Sequence, residues 1–235
     1  MPIRECGEKM LPIPADIFCL SIPYVYEAWS DGTSPWMLRE SVLASLIAAQ
    51  KRLEAIKPGW KIKIADAYRT LEITKKLAKR EMQKTAKAMG LDFENLSEEE
   101  FLKVEEKALN LFSIPTDDPS TPPLHSTGAA FDCSLVDETG KEPDLKGRSE
   151  EFPQTSAPDF FANAADPRFK QVHALRTLLR TILEAEGFTQ HPKEWWHFSK
   201  DDQYAALIKK QRAIENNIPI KESDYVSIYG RADLL

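Results

Sequence analysis

Two segments that lie far apart in the sequence, 124–132 and 194–197, together contain two of the four histidines of this chain, each near a carboxylate. His125 and Asp132 stand seven residues apart in the first segment, and His197 ends the second. Glu194, three residues before His197, is not needed as a ligand and is available as a base. Three protein ligands with an open fourth position are typical of a catalytic zinc site. A fold that uses these residues together must bring the two segments into contact, which restricts the possible architectures.

The spacing of His125 and Asp132 predicts a bend between them. An odd separation would place the two side chains on opposite faces of a straight strand. Gly128 lies between them, and a glycine in a strand-like run often marks a bulge or a sharp turn. Beyond the bend we predict a strand in which Cys133 points away from Asp132 and into the core, since free cysteine behaves as a small buried hydrophobe.

The periodicity of the second segment leaves two interpretations open. Glu194 and His197 share a face in a helical turn, whereas an extended strand pairs His197 with Trp195. A catalytic arrangement therefore requires a local twist that keeps Glu194 near the metal. The alternative is an aromatic cluster that fills the core, with Glu194 on the surface and His197 satisfied by a hydrogen bond.

Arg69 is a further candidate because it stands between a predicted strand, 61–68, and a predicted helix. Side chains at such junctions are positioned by rigid elements and often carry function. The alternative for an isolated arginine is a solvated charge or a surface ion pair with Asp66.

Hydrophobic periodicity predicts an α+β fold with a small, mainly antiparallel sheet flanked by helices. The first helix is predicted to begin with Ser34 as N-cap and Pro35 at its first position. Its buried stripe is predicted to contain Val42, Leu46, Ala49, Leu53 and Ile56. Ser97 and Glu100 form the pattern of a capping box at the start of a later helix. The other helices are predicted over 70–90, 166–187 and 201–216, and the other strands over 129–136 and 194–199.

Length and charge narrow the class of protein. The 235 residues suit one domain, 1–235, with a loop-rich amino-terminal segment, 1–33, and an irregular tail, 217–235. The net charge of -6 argues against nucleic acid as a partner, because phosphate binding needs a basic face. No apolar run is long enough to span a bilayer, so we expect no membrane partner. The three cysteines lack a disulfide or metal-binding spacing and no secretory signal is visible, so we predict a cytoplasmic protein.

Three motifs together resemble the D-alanyl-D-alanine dipeptidases of the vancomycin-resistance type. They are Asp66-Ala67-Tyr68-Arg69, the segment 125–132 and Glu194-Trp195-Trp196-His197, in the order of that family. The family belongs to a wider group of zinc peptidases that includes D,D-carboxypeptidases and shares a fold with the hedgehog signalling domain. The resemblance covers roughly residues 24–200 and implies a hedgehog/DD-peptidase-like fold.

The resemblance also implies a role for each matching residue. His125, Asp132 and His197 would bind one zinc ion per chain, Glu194 would be the catalytic base, and Arg69 would stabilise the transition state.

For the substrate, the resemblance implies a small D-amino-acid dipeptide such as D-Ala-D-Ala, hydrolysed by metal-activated water. Asp159 is the nearest match to the acid that holds the substrate ammonium group, and Tyr24 matches a tyrosine near the amino terminus. Thr70 stands where the family has proline, and Pro122-Pro123-Leu124 stand where serines usually precede the first histidine. These departures bear on the choice of substrate.

Other functions stay open at this point. A D,D-carboxypeptidase or an L,D-endopeptidase acting on peptidoglycan peptides would use the same chemistry. A non-enzymatic, hedgehog-like binding module would keep zinc for structure, although a structural zinc normally has a protein side chain in its fourth position. A cysteine hydrolase that pairs Cys133 with His125 conflicts with the alternation that points Cys133 into the core. The sequence leaves the oligomeric state undetermined.

Overall fold

A computed structural model describes residues 1–21, 32–108, 115–147 and 153–234 of the chain. The described α-helices are α1 Glu40–Ile56, α2 Leu71–Ala88, α3 Glu98–Ala108, α4 Pro167–Glu184 and α5 Gln203–Glu215. The described strands are β1 Met10–Pro12, β2 Cys19–Leu20, β3 Met37–Arg39, β4 Lys61–Asp66, β5 Ala130–Val136, β6 Thr189–Gln190 and β7 His197–Ser199. No helix in these four ranges combines the length and the apolar character that crossing a membrane requires.

The main sheet has five strands in the order β2-β4-β5-β7-β6. Only the β2–β4 pair is parallel; the other three pairs in this sheet are antiparallel. Strands β1 and β3 form a separate antiparallel pair. The predicted α+β class with a mainly antiparallel sheet is therefore confirmed.

One face of the sheet closes the hydrophobic core. Ile62 and Ile64 alternate along β4 and are fully buried, as the period of two predicts. On β5, Cys133 shares the buried face with Phe131 and Leu135. Helices α1 and α4 pack against each other, and α1 also packs on β4. The opposite face of β4 and β5 is thereby left for polar side chains.

The predicted start of the first helix is wrong. Residues 37–39 are the strand β3, and α1 begins only at Glu40. Pairing of β3 with β1, some distance away in the sequence, overrides the local signal of Ser34 and Pro35. The predicted stripe of α1 is fully buried at Val42, Leu46, Ala49 and Leu53. Ile56, in the last turn, is 55% exposed.

The capping box at the start of α3 is confirmed by reciprocal hydrogen bonds. The backbone N–H of Glu100 donates to Ser97 Oγ at 3.3 Å, and the backbone N–H of Ser97 donates to Glu100 Oε2 at 2.9 Å. Helices α2 and α3 then pack around a small cluster of their own that contains Met82, Ala86 and Val104.

Arg39 links the two terminal segments of the chain to the turn that precedes β5. Its side chain is completely buried and forms an ion pair with Glu5 at 3.2 Å. The guanidinium also donates to the carbonyl oxygen of Gly230 at 3.2 Å and to that of Thr127 at 2.8 Å. The amino-terminal and carboxy-terminal segments are thus joined to the turn that precedes β5.

Candidate active site

The predicted bend between His125 and Asp132 is present. His125 lies in a 3-10 turn, Leu124–Thr127, and Asp132 lies in β5. Gly128 connects the turn to the strand with φ of 71°, a left-handed conformation that favours glycine. A Cβ atom at this position would also clash with the sulfur of Met10. Backbone conformation and limited space both explain the glycine.

The second segment turns before it becomes a strand. The backbone N–H of His197 donates to the carbonyl oxygen of Glu194 at 3.4 Å, and His197 then opens β7. This turn brings Glu194 Oε2 within 3.9 Å of His197 Nδ1. Trp195 is buried in the core, so the aromatic alternative is correct for that residue, but the Glu194 side chain is only 13% exposed and does not lie on the surface.

Strand pairing places three polar residues in one row across the sheet. Asp132 on β5 is opposite His197 on β7 and opposite Asp66 on β4, next to a register shift in the β4–β5 pair. Residues that face each other across antiparallel strands share one face of a sheet. Phe131 and Phe198, the neighbouring pair of the same ladder, are buried on the core face.

The ring nitrogens of His125 and His197 converge on Asp132. Its Oδ1 lies 3.0 Å from His197 Nδ1 and 3.6 Å from His125 Nε2, and the candidate ligand atoms all lie within 4.8 Å of one another. Ligands at about 2.0–2.1 Å around a tetrahedral ion are roughly 3.3 Å apart. The two measured separations lie on either side of that value. Two imidazoles and a carboxylate therefore fit a zinc-like divalent cation.

A backbone contact orients the first histidine. His125 Nδ1 lies 2.6 Å from the carbonyl oxygen of Ala67, which follows β4. A histidine that binds a metal through one ring nitrogen usually donates the hydrogen of the other to a carbonyl or a carboxylate. This contact leaves His125 Nε2 free to face Asp132.

Glu194 is the ionisable group best suited to exchange protons at this site. Burial raises the pKa of Glu194 to about 7, although the neighbouring His197 opposes the increase. For Asp132, burial acts in the same direction, but the charges and hydrogen bonds of His125 and His197 outweigh it and hold its pKa well below the usual value. One carboxylate thus stays ionised, while the other can gain and lose a proton near neutral pH.

Arg69 forms the ion pair with Asp66 that was considered from the sequence, but the pair is largely buried. Its Nη2 lies 2.7 Å from Asp66 Oδ2, and the Arg69 side chain is 12% exposed. The same nitrogen lies 3.8 Å from Asp132 Oδ2. Asp66 therefore holds the guanidinium beside the candidate metal ligands.

Asp159 and Cys133 are not part of this cluster. The carboxylate of Asp159 is 60% exposed and forms an ion pair with Arg180 at 3.1 Å. Tyr24 lies outside the described residues. Cys133 is fully buried in the hydrophobic core, which argues against its use as a nucleophile.

Sequence reasoning missed two aromatic neighbours of the site. The His191 ring stacks on Tyr204 with a centroid distance of 4.7 Å, and its centroid lies 5.6 Å from that of His197 in an edge-on contact. Burial lowers the pKa of His191 to about 3, so this ring is neutral at physiological pH. The scarcity of histidine in the chain was the only signal that could have drawn attention to His191.

The raised pKa of Glu194 predicts a pH-dependent effect of the Glu194→Gln substitution on the metal-free protein. The folded-state pKa of about 7 exceeds the ordinary value of 4.5, so ionisation of Glu194 opposes folding. Protonated Glu194 therefore contributes its full stabilisation of the folded state below about pH 4, and this contribution is lost as the pH rises through 7. Glutamine cannot ionise. We expect the variant to gain roughly 1–3 kcal/mol relative to the parent between pH 4 and pH 8.

Urea denaturation of both proteins with chelator present measures this difference. Glu99→Gln is the matched control, because Glu99 is 80% exposed on α3. A stability difference between parent and Glu194→Gln that does not change with pH would contradict the assigned pKa.

Comparison with known proteins finds related peptidases. A family model described as D-ala-D-ala dipeptidase, of the peptidase M15 group, matches residues 28–217. The D-alanyl-D-alanine dipeptidase of Synechocystis sp. is 32% identical over 242 residues, which cover 99% of this chain and 95% of that protein.

Two solved structures show weaker similarity. The LD-carboxypeptidase LdcB is matched with a TM-score of 0.39 and 14% identity, over 94% of this chain and 79% of that one. The vancomycin-resistance D,D-pentapeptidase VanY, from a VanB-type cassette and in complex with Zn(II), is matched with a TM-score of 0.40 and 13% identity, over 93% of this chain and 94% of that one.

Proposed function

Because the chain belongs to the D-ala-D-ala dipeptidase family, we propose that it is a zinc-dependent dipeptidase that hydrolyses D-alanyl-D-alanine or a related D-amino-acid dipeptide. The observation that carries the proposal is the convergence of His125, Asp132 and His197 on one point, with Glu194 alongside. This set supplies three ligands and a separate proton acceptor.

The proposed cofactor is one zinc ion per chain, which His125 Nε2, a carboxylate oxygen of Asp132 and His197 Nδ1 would hold. When bound, zinc lowers the pKa of a coordinated water molecule to around 7 and polarises the scissile carbonyl. Three of the described residues converge as candidate ligands, so a bound zinc ion could also coordinate water or substrate.

Glu194 is the proposed general base. Its Oε2 lies 3.9 Å from Nδ1 of His197, and Glu194 is not one of the three proposed ligands. With a pKa near 7, it can accept the proton of the attacking water and then deliver that proton to the leaving amine. Such acid–base assistance contributes roughly 10²–10⁴ in rate.

Arg69 is the proposed stabiliser of negative charge on the substrate oxygen. Asp66 fixes its guanidinium through Nε at 2.8 Å and Nη2 at 2.7 Å, so the cation is oriented before substrate binds. A preorganised donor of this kind contributes about 3–4 kcal/mol to an oxyanion transition state.

Selection of dipeptides requires recognition of a free ammonium group. We assign this role to Asp159, whose carboxylate is accessible, and an additional contact to Tyr24. Since Asp159 pairs with Arg180 through two oxygens at 3.1 Å, the substrate ammonium would have to compete with or rearrange that pair. An ammonium contact with Asp159 would favour dipeptides over longer peptides, which carry an amide group at that position.

The cytoplasm is the proposed location. Cys6 and Cys19 are free thiols, and Cys6 is exposed, which fits a reducing compartment. Free dipeptides are the substrates that an enzyme in this compartment would encounter.

Hydrolysis of a defined substrate panel tests the proposed function. We expect the zinc-loaded protein to cleave D-Ala-D-Ala, to lose activity when zinc is chelated, and to regain it when zinc is restored. The panel also contains an L,D-dipeptide and a muramyl pentapeptide. Release of D-alanine from the pentapeptide without cleavage of the dipeptide would indicate a carboxypeptidase, and inactivity on the whole panel would refute a peptidase function.

A further inference from the structure

Asp202 is a buried carboxylate with one unused oxygen. It is the N-cap of α5, and its side chain is completely buried. Asp202 Oδ1 accepts hydrogen bonds from the backbone N–H of Ala205 at 2.7 Å and from Ser199 Oγ at 3.0 Å. Asp202 Oδ2 is buried and has no hydrogen-bond partner. Capping of α5 therefore accounts for only half of this carboxylate.

His197 has a matching unused atom on its outer side. Its Nδ1 faces Asp132 Oδ1 at 3.0 Å, and Nε2, on the far side of the ring, is buried without a hydrogen-bond partner. An imidazole that binds a metal through Nδ1 carries its hydrogen on Nε2. That N–H must find an acceptor, because a buried donor without one costs about 1–3 kcal/mol.

The two unused atoms belong to neighbouring elements. His197 opens β7, which ends at Ser199, and Asp202 follows three residues later. Their charges influence each other: burial raises the pKa of Asp202, and the nearby His197 ring opposes that increase. When His197 binds a metal through Nδ1, its Nε2 is a donor and Asp202 Oδ2 is an acceptor, so a hydrogen bond between them would satisfy both atoms.

We propose that Asp202 is a positioning residue for His197, and that its Oδ2 accepts the Nε2 hydrogen of the ring directly or through one buried water molecule. The inference rests on the proposed function in one respect, namely that His197 binds the metal through Nδ1. Carboxylates in this position fix the tautomer and the orientation of the ring and make it a better ligand. A bridging water is compatible with a buried site that offers two or more polar partners.

The Asp202→Asn substitution removes the acceptor and keeps the cap. Because Oδ1 serves two donors, the amide oxygen must remain at that position, and the NH₂ group replaces Oδ2. A donor then faces the Nε2 hydrogen of His197. We expect zinc to bind about 10–100-fold more weakly, the range found when such supporting groups are changed.

The matched control is Asp166→Asn. Asp166 is the N-cap of α4, and its side chain accepts a hydrogen bond from the backbone N–H of Arg168 at 2.8 Å. Asp202 caps α5 in the same way. It shares the capping role without a histidine to support. Competition with a chelating dye gives the zinc dissociation constant of each protein, and thermal unfolding with chelator present reports its metal-free stability. Weaker zinc binding only in Asp202→Asn is expected; equal affinity in both variants and the parent would overturn the inference.

A second measurement does not depend on the folding of any variant. NMR of the zinc-loaded parent, labelled with ¹⁵N in histidine, should show a His197 Nε2–H that exchanges slowly with water. Exchange as fast as in a solvent-exposed imidazole would overturn the inference. The proposed function is assessed separately by dipeptide hydrolysis: a parent that binds zinc but cleaves nothing refutes that function and leaves the role of Asp202 intact.

Discussion

The His197→Ala substitution is expected to abolish both zinc binding and dipeptide hydrolysis. His197 is one of three candidate ligands, and its loss leaves a carboxylate and a single imidazole, too few to hold a catalytic zinc. A metal ion contributes several kcal/mol to transition-state stabilisation, so activity should fall roughly a thousandfold or more. Zinc content after gel filtration and the rate of D-Ala-D-Ala cleavage measure the two effects.

His173→Ala is the control for this experiment, because His173 lies on α4 and is not part of the candidate site. It should retain one zinc ion and the parental rate. Loss of zinc from the His173 variant but not from the His197 variant would show that the ligand assignment is wrong.

The Glu194→Gln substitution is expected to separate zinc binding from catalysis. Glutamine has nearly the shape of glutamate but cannot accept a proton, and Glu194 is not among the three residues that converge as ligands. We therefore expect zinc affinity close to that of the parent and a kcat lower by roughly 10²–10⁴.

Steady-state kinetics on D-Ala-D-Ala, together with the zinc content of the same preparation, measures this result. The Glu99→Gln variant should match the parent in both respects. Parental turnover in Glu194→Gln would refute the role of general base, whereas loss of zinc would show that Glu194 is itself a ligand.

The features that the sequence predicted well are those encoded by local pattern. Alternation along β5 placed Cys133 in the core, and the position of Gly128 indicated the bend that precedes Asp132. The ambiguity at Glu194 was real, because the segment is a turn followed by a strand. Each interpretation of that segment described part of it correctly.

The features that the sequence missed depend on contacts between distant residues. The strand β3 exists because it pairs with β1, and nothing near Ser34 signals that pairing. An N-cap aspartate such as Asp202 gives no indication from its local sequence that one of its oxygens remains free in a buried space.

Arg176 shows the same limit for a charged side chain. It is 1% exposed within α4, although an arginine on an amphipathic helix is normally expected at the surface. Its guanidinium donates to the carbonyl oxygens of Leu145 at 2.7 Å, Thr155 at 2.9 Å and Ala157 at 3.0 Å. These hydrogen bonds hold together two parts of the connection between β5 and α4, which also contains Asp159.

The substrate contacts remain predictions. Asp159 is paired with Arg180, and the dipeptide preference follows from the family of the chain. Substitution of Asp159 would address that preference and not the chemistry.

Diffraction from crystals grown with zinc, recorded at the zinc absorption edge, tests the central claim most directly. We expect one anomalous peak per chain, about 2.0–2.2 Å from His125 Nε2, an Asp132 carboxylate oxygen and His197 Nδ1, with no fourth protein ligand. A fully occupied peak bound by other residues, or no peak at this cluster at saturating zinc, would contradict the account.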